Sequence, residues 1–517
     1  MYPGPYTTAT PDKPALIMAD TGDQLTFAEF DAAANQVAHL LRAQGLRRGD
    51  HIAVMSENRL EMLVVESAAE RTGLYFTLIN THLVADEAAY IVNNCRARVF
   101  FASSALAETA VPHQRSCPVV ERFLMFGRTI PGRSWESFDE AVARYPVTPV
   151  RDERRGQVML YSSGTTGQPK GICRPLQDAA PEDAGEVLDW VRDLLGFREG
   201  MTYLNPAPLY HSAPQGSVAG ALRFGGTVVV MNHFDPEQWC QLVERYRITH
   251  CQLVPTMFIR LLRLDPEVRA RYDLSSLEVI IHGAAPCPVP IKQAVIDWLG
   301  PIVVEYYGAT EGNGFTWCDS HEWLAHPGTV GRAIIGAVEI LDDDLVACPT
   351  GTNGTVWFRG ATNFVYFDDP AKTAENRFDD GADTLSTVGD IGYLDQDGYL
   401  YLTDRKSHMI ISGGVNIYPQ ETENLLAAHP AVADVAVIGV PHPDLGEAVK
   451  AVVVLVDPDA AGPALSAQLM TYCRERLAHY KCPRSIDFVT DLPRLPTGKL
   501  YKRLLRDRYR AVTPAGA

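Results

Sequence analysis

The sequence predicts an α/β fold, with a large N-terminal α/β domain followed by a smaller C-terminal α+β domain. Two observations lead to this prediction. Strand-like and helix-like hydrophobic patterns alternate through the first half of the chain, which is typical of parallel sheets connected by helices. Near residue 400 the composition changes, and a unit with its own pattern of strands and helix follows.

The N-terminal elements are predicted from hydrophobic spacing and from end signals. Thr26 and Glu29 have the spacing of a capping box, and apolar residues at helical spacing then predict a helix that ends near Gly45. A second helix is predicted from about residue 60 to residue 72. Because ligands of parallel sheets bind at the carboxyl ends of strands, the loops after the strands are the candidate sites. Short apolar runs predict buried strands at 52–55, 98–102, 227–231, 251–254, 279–282 and 302–306.

A domain boundary is predicted at 404–408, a polar run of mixed charge that follows a short strand at 400–403. The N-terminal domain would then comprise 1–404 and the C-terminal domain 409–517. The C-terminal domain is predicted to contain paired strands at 435–440 and 448–456, a helix at 465–477 and a further strand at 486–489.

The composition excludes several classes of protein. The 517 residues include 46 Lys and Arg against 63 Asp and Glu, which gives a formal charge of −17. Such a charge argues against binding of nucleic acid or an anionic membrane through a general positive field. No apolar run is long enough for a transmembrane segment, and the first residues lack the pattern of a secretory signal. Scattered cysteines without a C-x-x-C pair are typical of reduced thiols, so a cytoplasmic protein without a structural zinc site is expected.

The strongest local motif is the segment Tyr161-Ser-Ser-Gly-Thr-Thr-Gly-Gln-Pro-Lys170-Gly171. Glycines let the backbone approach a ligand closely. Hydroxyl groups, consecutive backbone N–H groups and the lysine can together bind phosphate oxygens. The Walker A pattern is not met, so the segment predicts a different kind of phosphate loop.

Two further motifs follow strands and suit a nucleotide. In Tyr306-Tyr-Gly-Ala-Thr-Glu311, the threonine hydroxyl can bind a phosphate oxygen and the carboxylate can bind Mg²⁺, which prefers oxygen ligands. Asp390 can accept the protons of both ribose hydroxyl groups. Arg405, in the polar run after the predicted strand at 400–403, can add a charge-assisted hydrogen bond.

These motifs, in this order, closely resemble those of the adenylate-forming superfamily, which includes acyl-CoA synthetases, adenylation domains of peptide synthetases, and luciferases. The resemblance covers nearly the whole chain and extends to Ser412-Gly-Gly and to Pro493-Arg-Leu-Pro-Thr-Gly-Lys499. It implies an N-terminal domain of layered sheets and a mobile C-terminal domain. It also implies two steps: a carboxylate and ATP give an acyl-adenylate and pyrophosphate, and the thiol of coenzyme A then displaces AMP.

The resemblance implies a role for each matching residue. Thr310 and Lys499 would contact the α-phosphate, Glu311 would hold Mg²⁺, and Tyr307 would pack on the adenine. Asp390 and Arg405 would bind the ribose. The remaining implied positions are Ser162, Ser163, Gly164, Thr165, Thr166, Gly167 and Lys170 around pyrophosphate; His282, Gly283, Ala284 and Ala285 beside the adenine; Gly308 and His211 on the acyl side; and Gly413 and Gly414 beside the pantetheine tunnel.

Two positions depart from the usual pattern of the superfamily. The hinge residue follows the arginine by two positions and is commonly Asp or Lys, whereas this chain has Ser407, followed by His408. A small residue can still absorb a change in φ and ψ, so Ser407 is the predicted hinge. Amino-acid-activating members usually place an aspartate in the region of His211, so the histidine argues against an α-amino acid substrate.

The sequence leaves the acyl group, the acceptor and the assembly open. Fatty, aromatic and alicyclic acids all remain candidate substrates. The alternatives to a CoA ligase are an enzyme that loads a separate carrier protein, a luciferase-like oxygenase, and a catalytically silent nucleotide-binding homologue. The intact Lys170, Glu311, Asp390, Arg405 and Lys499 argue against the silent homologue. A homodimer is also left open.

Overall fold

The computed structural model describes residues 1–128, 135–162, 169–183, 187–360, 364–379, 381, 383–405, 408–412, 415–494 and 500–512. Several predicted site residues lie outside the described residues, and of Ser162 only the backbone is described. The predicted site residues outside the described ranges are Ser163, Gly164, Thr165, Thr166, Gly167, Ser407, Gly413, Gly414 and Lys499.

The described residues form strands and helices that alternate along most of the chain. In chain order the strands are β1 Pro14–Met18, β2 Gln24–Thr26, β3 His51–Met55, β4 Tyr75–Leu78, β5 Ala97–Ser103, β6 Arg122–Phe126, β7 Glu136–Ser137, β8 Gln157–Val158, β9 Leu160–Ser162, β10 Lys170–Cys173, β11 Thr202–Asn205, β12 Thr227–Val230, β13 His250–Leu253, β14 Val279–His282, β15 Val303–Gly308, β16 Phe315–Cys318, β17 Arg332–Ile335, β18 Ala337–Leu341, β19 Gly354–Arg359, β20 Val365–Tyr366, β21 Arg377–Asp379, β22 Thr384–Ser386, β23 Asp390–Leu394, β24 Leu400–Arg405, β25 Ile410–Ser412, β26 Val415–Ile417, β27 Val432–His442, β28 Gly446–Leu455 and β29 Ser485–Val489.

The helices lie mostly between strands. They are α1 Tyr6–Ala9, α2 Phe27–Ala43, α3 Leu60–Arg71, α4 Ala85–Asn94, α5 Ala107–Ala110, α6 His113–Ser116, α7 Phe138–Val142, α8 Val187–Leu195, α9 Ser212–Arg223, α10 Pro236–Tyr246, α11 Pro255–Leu262, α12 Pro266–Arg269, α13 Val289–Leu299, α14 Ser320–Ala325, α15 Pro370–Glu375, α16 Pro419–Ala427, α17 Pro463–Arg474 and α18 Lys502–Val512. No helix in the described part of the chain is long and apolar enough to cross a membrane.

The chain divides into two compact units, and each unit is built from three separate segments of the sequence. Unit 1 comprises Met1–Leu253, Leu264–Ile281 and Asn363–Ala374. Unit 2 comprises Val254–Arg263, His282–Thr362 and Glu375–Ala517. The predicted boundary at 404–408 lies inside unit 2, where it includes the last two residues of β24, and it stays a prediction.

Unit 1 contains two layers of mainly parallel sheet. One sheet has the order β7–β6–β5–β3–β4–β8, and all its pairings are parallel. The other follows β13–β11–β12–β1 in parallel, with β2 antiparallel at its edge. Every residue of β3 is buried, as expected of a strand covered on both faces. The α/β prediction is therefore confirmed.

In unit 2 the described residues between 410 and 512 form a small α+β domain. β27 and β28 pair antiparallel along their length, and β29 adds in parallel to β28. Because side chains alternate along a strand, Val437 of β27 packs in the cluster that contains Leu426 and Leu469 of α16 and α17. The next residue, Ile438, packs on the opposite face with Leu505 of α18. The smaller C-terminal α+β fold is thus confirmed, whereas its mobility stays a prediction.

Most predicted elements are found within a few residues of their predicted ends. The capping box at the start of α2 is complete: the Thr26 backbone N–H donates to Glu29 Oε2 at 2.9 Å, and the Glu29 N–H donates to Thr26 Oγ1 at 3.2 Å. The strand predicted at 279–282 has those bounds, as β14. The strand predicted at 302–306 continues to Gly308, because Gly308 pairs with Phe315 of β16.

Candidate active site

One cavity of unit 2 is lined by residues that were predicted to contact the adenine, the ribose and the acyl group. The predicted residues that line it are Gly283, Ala284, Ala285, Tyr307, Gly308, Asp390 and Arg405. Residues of the C-terminal α+β domain line the same cavity, among them Gln420, Glu423, Leu500 and Lys502. This cavity is therefore the place where three strand ends meet: the end of β15, the start of β23 and the end of β24.

Asp390 contacts two polar neighbours in this cavity. Its Oδ1 lies 2.8 Å from Nε of Arg405, and its Oδ2 accepts a hydrogen bond of 2.7 Å from the Tyr307 hydroxyl. Asp390 is the first residue of β23 and pairs with Arg405 of β24 in antiparallel register. The Asp390 carboxylate raises the pKa of the Arg405 guanidinium, which stays charged at any ordinary pH. Burial and the Asp390 charge raise the pKa of Tyr307 well above its usual value, so its hydroxyl keeps its proton.

Small residues shape the floor of the cavity. A Cβ on Gly308 would lie 2.7 Å from the ring of Phe315, and a Cβ on Gly283 would lie 3.0 Å from the ring of Tyr306. Ala284 has φ of +70°, an unusual backbone conformation for a residue with a Cβ. The loop after β14 and the end of β15 can therefore approach a flat ligand with their backbones.

A buried charge cluster lies behind this floor. Lys292 of α13 is fully buried and its Nζ lies 2.5 Å from Oε2 of Glu305. The other carboxylate oxygen, Oε1, lies 3.6 Å from Nε2 of His282. Glu305 itself lines the cavity, so the predicted adenine-side His282 is held next to an acceptor that faces the same space.

Thr310 and Glu311 follow β15 directly. Neither is among the residues that line the cavity, although their neighbour Ala309 is. Glu311 is 9% exposed. Its charge adds to the larger effect of the Asp390 charge in raising the pKa of both Tyr307 and Arg405. Its carboxylate therefore lies within electrostatic reach of the ribose-side residues.

The ends of the Lys499 segment are held at the cavity. Arg494 and Leu500 form an antiparallel bridge, and the Tyr501 N–H donates to the Pro493 carbonyl at 2.7 Å. Arg494 Nε also donates to Asp434 Oδ2 at 2.6 Å. Leu500 lines the cavity with Gly308. Residues 495–499 therefore connect two anchors that border the predicted nucleotide site.

In unit 1 the ends of the predicted phosphate loop are paired. Ser162 of β9 and Lys170 of β10 are direct cross-strand partners, so residues 163–169 connect the two strands of a hairpin. The Lys170 Nζ lies 5.6 Å from the centre of the Tyr366 ring. A short strand, β9, therefore leads into the predicted loop, and Lys170 is the first residue of the antiparallel strand that follows it.

His211 lies at the start of α9, also in unit 1. It occupies the N-cap position, and its ring centroid is 4.5 Å from that of Tyr210. Asn58 organises the preceding loop: its Nδ2 donates to the carbonyls of Ala207 and Met231 at 3.0 and 2.8 Å, and its Oδ1 accepts from the Leu209 N–H at 2.9 Å. The half-buried histidine thus stands at the end of a loop fixed by a buried amide.

The motifs assign no role to four charged residues that line the cavity, so the sequence analysis missed them. These residues are Glu305, Asp404, Glu423 and Lys502. Charged side chains usually lie in water, and only the packing reveals that these four are buried. The one signal in the sequence that could have indicated them is their closeness to the motifs. Glu305 precedes Tyr307 by two positions, and Lys502 follows Lys499 by three.

Comparison with known proteins identifies the family. Residues 6–365 match the model of the AMP-binding enzyme family, and residues 421–499 match that of the AMP-binding enzyme C-terminal domain. The long-chain-fatty-acid–CoA ligase FadD13 of Mycobacterium tuberculosis strain H37Rv is 31% identical, over 98% of this chain and 97% of that protein. The fatty acid–[acyl-carrier-protein] ligase ScoC of Streptomyces coeruleorubidus is 30% identical, over 96% of this chain and 94% of that protein.

A solved structure gives the same result. The anthranilate CoA ligase AuaEII, in complex with anthranoyl-AMP, superposes with a TM-score of 0.85 at 26% identity, over 98% of this chain and 96% of that chain. The predicted resemblance, the layered α/β fold and the class of AMP-forming acid–thiol ligases are confirmed by these matches. The chain belongs to the AMP-binding enzyme family.

Proposed function

We propose that this protein is an ATP-dependent acyl-CoA ligase that makes an acyl-adenylate and then a CoA thioester. The observation that carries the proposal is the arrangement around Asp390, whose two oxygens face Arg405 and Tyr307 at 2.8 and 2.7 Å in a cavity also lined by Leu500. This arrangement suits a nucleotide whose ribose lies at Asp390 and Arg405 and whose adenine lies beside Tyr307. The segment that contains Lys499 would then act on the α-phosphate side.

Adenylation is an in-line displacement at the α-phosphorus, so the protein has to position the carboxylate and neutralise growing negative charge. We assign Ser162, Lys170 and the loop between them to the pyrophosphate. Thr310 and Lys499 would contact the α-phosphate. Each carboxylate oxygen of Asp390 has a second lone pair, which is available to the two ribose hydroxyl groups.

Glu311 would hold Mg²⁺ together with phosphate oxygens. A buried carboxylate with few exposed atoms is a suitable ligand, because Mg²⁺ at such sites is usually bound by one or two carboxylates and the phosphates of the substrate. The ion would supply charge neutralisation on the phosphates during the transfer.

The acyl substrate is proposed to be a carboxylic acid without an α-amino group. The supporting observation is His211 at the N-cap of α9, where a cation-binding aspartate would be expected for an amino acid substrate. The relatives act on a long-chain fatty acid and on anthranilate, as their names state. Fatty, aromatic and alicyclic acids are therefore the classes to test.

The test is a pair of assays with a panel of acids: butanoate, dodecanoate, benzoate and cyclohexanecarboxylate. Exchange of labelled pyrophosphate into ATP measures adenylation, and release of AMP with and without CoA measures transfer. We expect acid-dependent exchange, and CoA-dependent turnover with the same acid. The absence of exchange with every acid, from protein that unfolds cooperatively on heating, would contradict the proposal and favour the silent homologue.

A second candidate is an enzyme that loads a separate acyl carrier protein. The similarity to ScoC, which is named as such a ligase, is the observation that favours it. We assign Gly413 and Gly414 to the passage of the pantetheine arm, and such an arm occurs in both CoA and carrier proteins. Exchange with an acid but no thioester with free CoA, together with acylation of an added holo-carrier protein, would support this candidate.

We also propose a reducing, cytoplasmic location. All ten cysteines are free thiols, and most are buried in apolar surroundings that raise their pKa, as for Cys95 and Cys473, each to about 12. Buried thiols of raised pKa are poor nucleophiles. A full set of unmodified thiols on titration of the denatured protein would support this proposal.

A further inference from the structure

Lys502 is an unusual residue because it is charged, almost fully buried and next to the predicted catalytic segment. It is the first residue of α18 and is 5% exposed. Its Nζ lies 2.9 Å from Oε1 of Glu423, so the two side chains form a buried ion pair. Lys502 lines the same cavity as Leu500, which closes the bridge around residues 495–499.

Two buried carboxylates interact with the charge of this ammonium group. Glu423 of α16 is 6% exposed, and its Oε1 also accepts a hydrogen bond of 2.6 Å from the Val437 N–H. Asp404 of β24 is 9% exposed. Burial acts to raise the pKa of Asp404, but the charge of Lys502 and a contact with His408 hold it below its usual range. Lys502 is therefore the cation that both carboxylates share.

The network crosses the predicted hinge. Asp404 precedes Ser407, whereas Glu423 and Lys502 follow it. A second contact crosses at the same place, because the Gln420 backbone N–H donates to Asp404 Oδ2 at 3.0 Å. A rotation about residue 407 would keep Lys502 with Glu423, but it would separate both from Asp404.

Stability alone does not explain such a network. Burying an ammonium and two carboxylates costs several kcal/mol per ion, and apolar side chains of similar size are often as stable or more stable. What a buried charge network can supply instead is one preferred orientation of the parts that it joins. Here the joined parts are β24, α16 and the start of α18, three residues after Lys499.

We propose that Lys502 is a positioning residue for the adenylation step, where it holds Leu500, the neighbour of Lys499 in the chain, at the nucleotide cavity through Asp404 and Glu423. The inference rests on the proposed function, since it assigns a role in one of the two half-reactions. It predicts that loss of the Lys502 charge slows adenylation more than it slows thioester formation. A merely structural role would affect both half-reactions alike.

The test uses three variants of the full-length protein: Lys502→Met, Lys502→Arg and the double variant Lys502→Met/Glu423→Gln. With the acid that exchanges fastest, we expect Lys502→Met to lower the rate constant of ATP–pyrophosphate exchange by at least about tenfold, with KM for ATP within about threefold. Thioester formation from purified acyl-adenylate should stay within about threefold of wild type. Lys502→Arg, which keeps the charge, should retain exchange within about threefold.

The double variant and a matched lysine separate positioning from loss of stability. If the defect came only from an unpaired buried Glu423, removing that charge would restore exchange, whereas the proposal expects no recovery. Lys450, whose Nζ lies 2.8 Å from Asp487 of the same small domain, is the control. Lys450→Met should change neither half-reaction.

The outcomes are distinguishable. Three results would each overturn this inference and leave the proposed function intact. They are equal loss in both half-reactions, full exchange in Lys502→Met, and recovery of exchange in the double variant. Wild-type protein without exchange for any acid would overturn the proposed function and this inference with it. Thermal denaturation of every variant, measured beside the kinetics, identifies any that fail to fold, and in that case Lys502→Arg decides between the outcomes.

Discussion

The Tyr307 hydroxyl donates a 2.7 Å hydrogen bond to Oδ2 of Asp390, although the two residues are 83 positions apart in the chain. The contact fixes the plane of an aromatic ring and the direction of a carboxylate at once. The Tyr307 ring also stacks on Phe358, with centroids 6.1 Å apart and planes 29° apart. One face of the ring is thereby supported by protein. In the proposed function, the other face of the Tyr307 ring would pack on the adenine, and the Asp390 carboxylate would bind the ribose.

Tyr307→Phe keeps the ring and removes only the hydroxyl. A hydrogen bond to a charged group contributes about 1.5–3 kcal/mol, so we expect KM for ATP to rise by about tenfold or more with a smaller change in kcat. The measurement is ATP–pyrophosphate exchange at varied ATP. Tyr399→Phe is the matched control, because it removes a tyrosine–carboxylate hydrogen bond, to Glu322, outside the cavity. An unchanged KM in Tyr307→Phe would argue against a link between this hydrogen bond and nucleotide binding.

Asp390→Asn tests the ribose role. The amide keeps the shape of the side chain, but its NH₂ group cannot accept a hydrogen bond and its charge is lost. The cavity therefore loses one acceptor, and the Arg405 guanidinium loses its ion pair. We expect the preference for ATP over 2′-deoxy-ATP to fall by about tenfold or more, since an unpaired buried group costs about 1–3 kcal/mol. Competition between the two nucleotides in the exchange assay measures it. An unaltered preference would remove Asp390 from the ribose site.

The sequence predicted the strands better than the contacts between them. The run at 279–282 has the predicted ends because its β-branched residues form a buried strand in almost any sheet. The extension of β15 to Gly308 could not be predicted, because it depends on pairing with Phe315 in a strand with no strong pattern of its own. Local propensity determines the first result, and tertiary pairing determines the second.

The site was predicted through motifs, and the residues without a motif were missed. Asp390 and Arg405 were matched by their order in the chain, and the register of β23 and β24 explains why such distant positions meet. Lys502, Glu423 and Asp404 carry charges that normally point to solvent. Their burial depends on how three elements pack, and no local pattern reports that packing.

Lys499→Ala should separate the two half-reactions. Arg494 and Leu500, on either side of the segment, are bridged and line the cavity, which supports our assignment of Lys499 to the α-phosphate. Losing a charge contact in the transition state costs about 3 kcal/mol or more, roughly a hundredfold in adenylation rate. Thioester formation from added acyl-adenylate should be spared. Lys481→Ala, which breaks an ion pair with Glu421 elsewhere in the domain, is the control, and equal losses in both half-reactions would remove Lys499 from its assigned role.

His250 predicts a pH dependence of stability. The ring is fully buried on β13, its Nε2 lies 3.1 Å from the Gly196 carbonyl, and burial lowers its pKa to about 4. The unfolded chain takes up this proton below the usual pKa of about 6.5, whereas the folded chain does so only near 4. The folded state is therefore favoured above pH 6.5, and that advantage is lost as the pH falls from 6.5 to 4.

The matching variant is His250→Gln, whose amide can still donate to the Gly196 carbonyl. Between pH 7 and pH 4.5 the free energy of unfolding should fall by about 2–3 kcal/mol less in the variant than in wild type, since each pKa unit is worth about 1.4 kcal/mol. Urea unfolding at the two pH values gives the comparison. If both proteins lose the same stability over this interval, His250 does not titrate as described.

Ser407→Pro tests the predicted hinge. In the described structure Asp404 accepts a hydrogen bond from the Gln420 N–H at 3.0 Å, and Leu500 lines the nucleotide cavity. We assign this orientation to adenylation, because Leu500, which follows Lys499 in the chain, lines the cavity. Transfer to CoA would require the opposite side of the same small domain, near Gly413 and Gly414, so the domain would have to rotate between steps.

Proline locks φ near −65° and removes a donor, so it should hold one orientation. We expect ATP–pyrophosphate exchange in Ser407→Pro to stay within about tenfold of wild type, while CoA thioester formation falls by at least about a hundredfold. Ser407→Ala keeps the freedom of the backbone and removes only the hydroxyl, so it should behave as wild type in both assays. Normal adenylation with normal thioester formation in the proline variant would place the pivot elsewhere in 404–408. A defect in adenylation with intact transfer would mean that the proline favours the other orientation.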